Sequence, residues 1–158
     1  SPGPIFYAQE RIGINGKKFN MWKFRSMSAA KNNEDKNVWG SKNNSRITRF
    51  GGFIRKTSLD ELPQLWNVLI GDMSLVGPRP ERTHFVEKFK NEIPHYMLRH
   101  KMNAGITGWA QVNGLRGDTD LTKRIEFDIY YIKNWSIFLD IKIIILTFIK
   151  GLINKNAY

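Results

Sequence analysis

Apolar residues recur along this chain with two different periods, and the change from one to the other separates a β-hairpin from a series of helices. Ile5 to Ile14 and Lys17 to Met27 are extended runs around Asn15-Gly16, a dipeptide that tolerates the positive φ needed at both positions of a tight hairpin turn. Alternation along the second run puts Phe19, Met21, Lys23 and Arg25 on one face and Trp22 and Phe24 on the other, so Lys23 and Arg25 reach the same side. Ser28 to Ser45 is polar, rich in Asn and Lys and aperiodic, as a loop would be. From Arg46 to Lys56, Ile47, Phe50, Phe53 and Ile54 fall at helical intervals, although Gly51 and Gly52 each cost a helix about 1 kcal/mol. Glu81 to Asn91 and His95 to Met102 read as short helices parted by Pro94, which ends the first near Ile93. Gly105 to Gly117 is a glycine-punctuated loop. A helix is predicted over Asp118 to Asn134, with Ile125, Ile129 and Ile132 on one face and Asp128 beside it. The last helix, Ser136 to Asn154, carries an apolar stripe too wide for a solvated surface; half of it suits a core and the rest a membrane headgroup plane.

The stretch from Thr57 to Glu81 organises the rest. Ser58 is placed to be an N-cap with Glu61 three residues on, and Pro63 stands in the first turn. Leu62, Leu65, Trp66 and Leu69 have the spacing of a buried face, and Gly71 stops the helix. Asp60 and Glu61 therefore fall in the first turn, where capping and the macrodipole account for acids without any chemistry. Beyond them, Gly77-Pro78-Arg79-Pro80 is a stiff loop in which two prolines fix the backbone around one guanidinium.

Leu59-Asp60-Glu61-Leu62-Pro63-Gln64, followed by Gly71-Asp72-Met73-Ser74 and Gly77-Pro78-Arg79-Pro80, resembles the bacterial sugar transferase family of monotopic phosphoglycosyltransferases. The likeness continues through Gly3 to Gln9, Lys23 to Met27 and Gly105 to Gly114, and so covers nearly the whole chain. It implies an α+β domain, mostly helical, with an N-terminal β-hairpin and amphipathic helices at a membrane interface. It also implies transfer of a hexose-1-phosphate from a UDP-sugar to undecaprenyl phosphate, a polyprenyl phosphate, with release of UMP. Asp60 would be the nucleophile and form a phosphosugar-aspartyl intermediate; Glu61 would help bind Mg²⁺, with Asp60, or steer the acceptor; Arg79 would stabilise the transferring phosphoryl group. The substrate-binding set carried over is Lys23, Arg25, Arg55, Pro78, Pro80, Gln111, Asn113, Arg116 and Asp128. Family members often have Arg-Pro before the Gly-Ile-Thr-Gly motif, whereas this chain has Asn103-Ala104, and no cation is assigned there. Leu115 to Thr119, with Trp109, resembles the branch that begins exopolysaccharide, capsule or O-antigen repeat units, with glucose favoured and galactose second. The same resemblance implies a membrane-embedded helix ahead of Ser1 and a place on the cytoplasmic face of a bacterial inner membrane.

Composition narrows the partners. With 158 residues a single domain is expected, and 25 Lys plus Arg against 14 Asp plus Glu give a net charge of +11, which suits phosphorylated substrates, acidic lipid or nucleic acid. A basic module that binds a membrane surface or nucleic acid without catalysis is the competing explanation, but it leaves Asp60-Glu61 and the proline-framed Arg79 without a purpose; nucleic acid is not expected as a partner. Absence of cysteine rules out disulfides and thiolate metal sites, and His84, His95 and His100 lack the i, i+4 pairing of a metal-binding helix. The longest apolar stretch, Ile143 to Ile149, is too short to cross a bilayer, and a homo-oligomer is left open.

Overall fold

In the computed structural model, which describes residues 3–28, 46–117 and 119–151, the two extended runs pair as an antiparallel hairpin. Strand β1 (Phe6–Ile12) lies against β2 (Lys18–Phe24), with Tyr7 opposite Lys23 and Arg11 opposite Phe19. Asn15 and Gly16 both take positive φ, 53° and 77°, and the Lys17 amide donates to the Ile14 carbonyl at 3.0 Å, so the turn forms where the dipeptide predicts it. Most of the expected loop, residues 29–45, lies outside the described residues. Its flanks meet in a Met27–Ile47 antiparallel bridge, with the Ser28 amide donating to the Arg46 carbonyl at 2.9 Å.

Helices follow: α1 (Arg49–Lys56), α2 (Gln64–Leu69), α3 (Thr83–Glu92), α4 (Trp109–Val112), α5 (Leu121–Lys133) and α6 (Ile137–Gly151), with 3₁₀ turns over Leu59–Glu61 and Tyr96–Lys101. Thr48 caps α1 by accepting from the Gly51 amide, and Asp120 caps α5 by accepting from the Lys123 amide. The molecule is α+β, as expected. One apolar cluster joins Ile12, Val86, Tyr96 and Ile125, and a second joins Val76, Val112, Tyr131 and Ile143. The Pro78-Arg79-Pro80 loop runs between them, from Val76 in the second to α3 in the first.

Two short strands escaped the sequence reading. β3 (Ser74–Val76) and β4 (Gly105–Thr107) pair in parallel, and this two-stranded piece sets the root of the Arg79 loop. The contact needs glycine on both sides. A Cβ on Gly105 would lie 2.1 Å from the Gly77 nitrogen, and one on Gly108 would lie 2.2 Å from the Gly77 oxygen. The glycines of the two motifs therefore meet backbone to backbone, and the Gly105 amide donates to the Pro78 carbonyl at 2.9 Å. Gly105→Ala is expected to part the strands and lower stability by about 2 to 3 kcal/mol, the usual scale of overpacking, measurable as a fall in thermal midpoint.

The reading of α2 needs correcting. Ser58 is not a side-chain cap: it has φ 57°, in the left-handed region, and the residues after it form a 3₁₀ turn, so the α-helix proper starts only at Gln64 with Pro63 at its N-cap. Its buried face is also the opposite one. Gln64 and Asn67 are fully buried, while Leu62, Leu65, Trp66 and Leu69 face outward, Trp66 at 59% and Leu69 at 78% exposure. Asn67 explains why a polar residue faces inward. Its Oδ1 accepts from the Trp22 amide at 3.0 Å and its Nδ2 donates to the Asn20 carbonyl at 2.8 Å, so one side chain satisfies the open edge of β2 and docks α2 onto the hairpin.

Candidate active site

Glu61 is the hub of the site. Its Oε1 accepts from Lys23 Nζ at 2.9 Å and from Arg79 Nη2, and its Oε2 accepts from Arg79 Nη1 and Arg116 Nη2, both at 3.3 Å. The three cations come from β2, from the proline-framed loop and from the glycine-rich segment before α5, so one carboxylate gathers three separate parts of the chain. Burial alone would push the Glu61 carboxyl up, but Arg79, Lys23 and Arg116 together hold it well below the usual carboxylate range. Arg116 also donates to Ser58 Oγ at 3.3 Å, which gives the left-handed Ser58 a partner other than the helix end.

Asp60, one residue away, is treated differently. It is 9% exposed, and no described residue donates a hydrogen bond to it. Burial first, and then the charge of Glu61, raise its pKa; Lys23, Arg55 and Arg116 oppose the rise. The adjacent acids thus divide the work: Glu61 is spent on holding cations, and Asp60 keeps both oxygens unclaimed beside them.

The remaining expected residues fall into two groups. Lys23, Arg79 and Arg116 converge on Glu61, and Arg55 contributes to the field at Asp60 while its Nη1 lies 3.3 Å from Met27 Sδ. Pro78 and Pro80 frame Arg79. Arg25 instead donates to the Gly3 carbonyl at 3.2 Å, at the open end of the hairpin where its amide still donates to the Ile5 carbonyl at 2.8 Å. Gln111 turns inward to the Ile106 carbonyl at 3.2 Å and Asn113 back to the Trp109 carbonyl at 2.8 Å. Asp128 is not on the Glu61 cluster: it is 2% exposed and pairs with Arg99 at 2.7 Å.

That pair belongs to a network the sequence reading missed. Arg99 donates to the Arg79 carbonyl at 2.8 Å, while Arg124 donates to Glu81 at 3.1 Å and to the Gly117 carbonyl at 2.5 Å. The backbones on either side of the Glu61 hub, next to Arg79 and next to Arg116, are thereby held by buried arginines. No periodicity marks such residues, and a single arginine within each of their predicted helices gives no signal of its own. Of the histidines, His84 and His95 are exposed, and His100 is buried, its pKa pushed down to about 4 by burial and by Arg99.

Among the described residues no three His, Cys, Asp or Glu side chains gather as a metal group. An ion that takes one protein carboxylate and fills its sphere with phosphate oxygens and water fits Asp60, whose oxygens are unclaimed; Glu61, with both oxygens engaged by cations, does not fit as a second ligand.

Residues 1–154 match the sequence profile of a family described as bacterial sugar transferase. The chain is 54% identical over 162 residues to a UDP-glucose:undecaprenyl-phosphate glucose-1-phosphate transferase of Klebsiella pneumoniae, covering 100% of this chain and 35% of that relative. The protein of the same name from Escherichia coli (strain K12) is 53% identical over 163 residues, again with 100% and 35% covered. A UDP-N-acetylgalactosamine-undecaprenyl-phosphate N-acetylgalactosaminephosphotransferase of Aeromonas hydrophila is 49% identical over 150 residues, covering 93% of this chain and 35% of its own length. The chain therefore spans about a third of the length of these curated relatives.

Proposed function

The chain belongs to the bacterial sugar transferase family, and on that premise we propose that it forms the catalytic part of an enzyme moving a hexose-1-phosphate from a UDP-sugar to undecaprenyl phosphate. The observation that carries this reading is the division between the two acids: Asp60 unclaimed at the edge of a cation cluster, Glu61 wholly occupied in building it. A carboxylate free of hydrogen bonds keeps its nucleophilicity, and clustered guanidinium groups offset the repulsion it meets on approaching a diphosphate.

The chemistry takes two displacements at one phosphorus. An Asp60 oxygen bonds to the β-phosphorus of the UDP-sugar as the bond from that phosphorus to the bridging oxygen breaks; the bridging oxygen leaves with UMP. The hexose-1-phosphate is then joined to Asp60 as an acyl phosphate. An oxygen of undecaprenyl phosphate next bonds to the same phosphorus, and the phosphorus–Asp60 bond breaks, returning the carboxylate and giving a lipid diphosphosugar. Arg79, with little backbone freedom between its prolines, grips the transferring group; Lys23 and Arg116 add charge on either side. Mg²⁺ held by Asp60 would neutralise phosphate charge further. The test is UMP release from a panel of UDP-sugars with undecaprenyl phosphate in membrane or detergent. UMP release is expected to depend on Mg²⁺, and to stop after about one equivalent per enzyme unless lipid is present, with UDP-glucose the best donor; release of no UMP from any sugar, alongside salt-sensitive DNA binding, would favour the basic binding module. UDP-galactose and UDP-N-acetylgalactosamine are the informative alternatives, given the name of the Aeromonas relative.

The outward apolar residues fit the lipid acceptor. No helix among the described residues is long and apolar enough to cross a membrane, yet α2 turns Leu65, Trp66 and Leu69 outward and α6 does the same with Phe138 and Phe148, at 80% and 71% exposure. Such faces suit helices lying in the headgroup layer, with the basic surface drawn to anionic lipid. Replacing Leu65, Trp66 and Leu69 together with Ser is expected to weaken binding to anionic liposomes at least tenfold in sedimentation assays, at about 1.5 kcal/mol or more per buried side chain. High salt should weaken the parent's binding as well. Unchanged binding by the triple variant would remove α2 from the membrane surface.

A further inference from the structure

Arg11 stands on the same face of the hairpin as Lys23, since Tyr7 faces Lys23, Gln9 faces Met21 and Arg11 faces Phe19 across the strand pair. The next residue, Ile12, donates its amide to the Glu81 carbonyl at 3.1 Å, so this end of β1 is fastened to the segment that carries Arg79. Arg11 is half-buried. Its Nη2 donates to Gln9 Oε1 at 2.7 Å, its Nε is buried without a hydrogen-bond partner, and it makes no ion pair with an acid among the described residues.

The nearby acids are engaged elsewhere. Glu61 is shared by Lys23, Arg79 and Arg116, and Glu81 pairs with Arg124 and Arg99. Arg11 nevertheless lies within the field of both acids and of Arg82 and Arg79, and Lys23 in turn feels Arg11. Burial, opposed by Glu81 and reinforced by Arg82 and Arg79, pushes its pKa down to about 10, so it stays charged at neutral pH. A half-buried guanidinium that bears the cost of desolvation without an ion pair of its own is unfavourable as a piece of scaffold. It is favourable as a donor to an anion with several oxygens, the kind of group guanidinium forks recognise.

We propose that Arg11 is a further substrate-binding residue, whose guanidinium donates to a phosphoryl group held between the hairpin and the cations on Glu61. The assignment rests on the phosphosugar transferase reading of the site. The phosphoryl group is either that of the nucleotide donor or that of the lipid acceptor, two sources with the same chemistry.

Arg11→Gln and Arg11→Lys separate these cases and a structural role. Thermal midpoints are measured without ligand and with UDP, the UDP dissociation constant by calorimetry, and the KM for undecaprenyl phosphate at saturating UDP-glucose. Arg11→Gln is expected to unfold at the parent's midpoint or above it without ligand, because it removes the desolvation cost of a charge that has no ion pair. If the donor phosphate is the partner, the UDP dissociation constant rises about tenfold and the UDP-induced rise in midpoint falls by more than half. If the lipid phosphate is the partner, UDP binding is kept and the KM for undecaprenyl phosphate rises about tenfold instead. Both quantities within twofold of the parent would overturn the proposal. Should Arg11→Gln lose stability and binding together, Arg11→Lys decides: stability restored with binding still weak supports a phosphate contact, while recovery of both in step shows a structural role. UDP binding does not depend on turnover, so failure of the Asp60 chemistry would leave that arm interpretable and would be recognised separately.

Discussion

Asp60→Asn is expected to reduce UMP release by about 10³-fold or more, the scale seen when a nucleophile is removed, while leaving the protein at least as stable as the parent. The two halves of this prediction come from one geometry. Asparagine keeps the size of the side chain but has no anionic oxygen to bond to phosphorus. The charge it removes is one the fold does not favour: burial and the neighbouring Glu61 raise the Asp60 pKa, and no described residue donates to its oxygens. A group whose folded pKa is raised opposes folding once ionised, so removing it should hold or lift the thermal midpoint at neutral pH. Were Asp60 only a first-turn acid stabilising a helix, the same change would cost about 0.5 to 1 kcal/mol and spare activity. The pH profile adds a second reading, since the nucleophile must be ionised: the acid limb of kcat/KM should lie above the ordinary aspartate range. With UDP-glucose and no lipid, mass spectrometry of the parent should find a hexose-phosphate adduct on the peptide holding Asp60. A fully active Asp60→Asn, or an adduct on another residue, would remove Asp60 as nucleophile.

How far such a site can be read from sequence depends on the range of the interaction. The hairpin was legible because Asn15-Gly16 dictates its own backbone, and the ends of the helices were legible where Pro94 and Gly71 stop them locally. Strand alternation put Lys23 and Arg25 on one side, but which partner each takes, Glu61 for Lys23 and the Gly3 carbonyl for Arg25, depends on segments that the rule does not see. The spacing of Leu62, Leu65, Trp66 and Leu69 identified residues that share a face but not what covers it, and burial went to Gln64 and Asn67 through bonds to a distant strand. Strands of three residues give no period at all, so the meeting of Gly77 with Gly105 and Gly108 had to come from the fold. The same holds for Arg99 and Arg124, whose acid partners, Asp128 and Glu81 respectively, lie far from them along the chain. Within the site, sequence pointed to both acids of the pair. Spacing could not divide their roles, which came there only from the family resemblance; the division seen in the fold is set by cations arriving from three other segments.

That division makes Glu61→Gln the most disruptive conservative change expected in the site. Glutamine leaves one acceptor oxygen where two carboxylate oxygens receive Lys23, Arg79 and Arg116, and it turns an amide donor toward guanidinium donors. Three buried or half-buried cations then lose their common counter-charge. Breaking a buried pair in this way costs about 3 kcal/mol or more, and for a domain of this size that corresponds to a fall of roughly 6 to 12 °C in thermal midpoint. Activity should collapse with it, because Arg79 and Arg116 are no longer set relative to Asp60. The pH dependence follows from the sign of the shift. Glu61 has its folded pKa depressed, so its contribution is present in full above the unfolded value of about 4.3 and is lost as pH falls through the depressed folded value. The parent should therefore lose stability on acidification along a limb that the variant lacks, which matched melts across acidic pH will show. Raising Mg²⁺ separates this account from metal ligation. Since both Glu61 oxygens are held by cations, extra Mg²⁺ should restore neither stability nor activity to the variant. Recovery of activity at high Mg²⁺, or a midpoint within 2 °C of the parent, would mean that Glu61 serves the metal rather than the cation cluster.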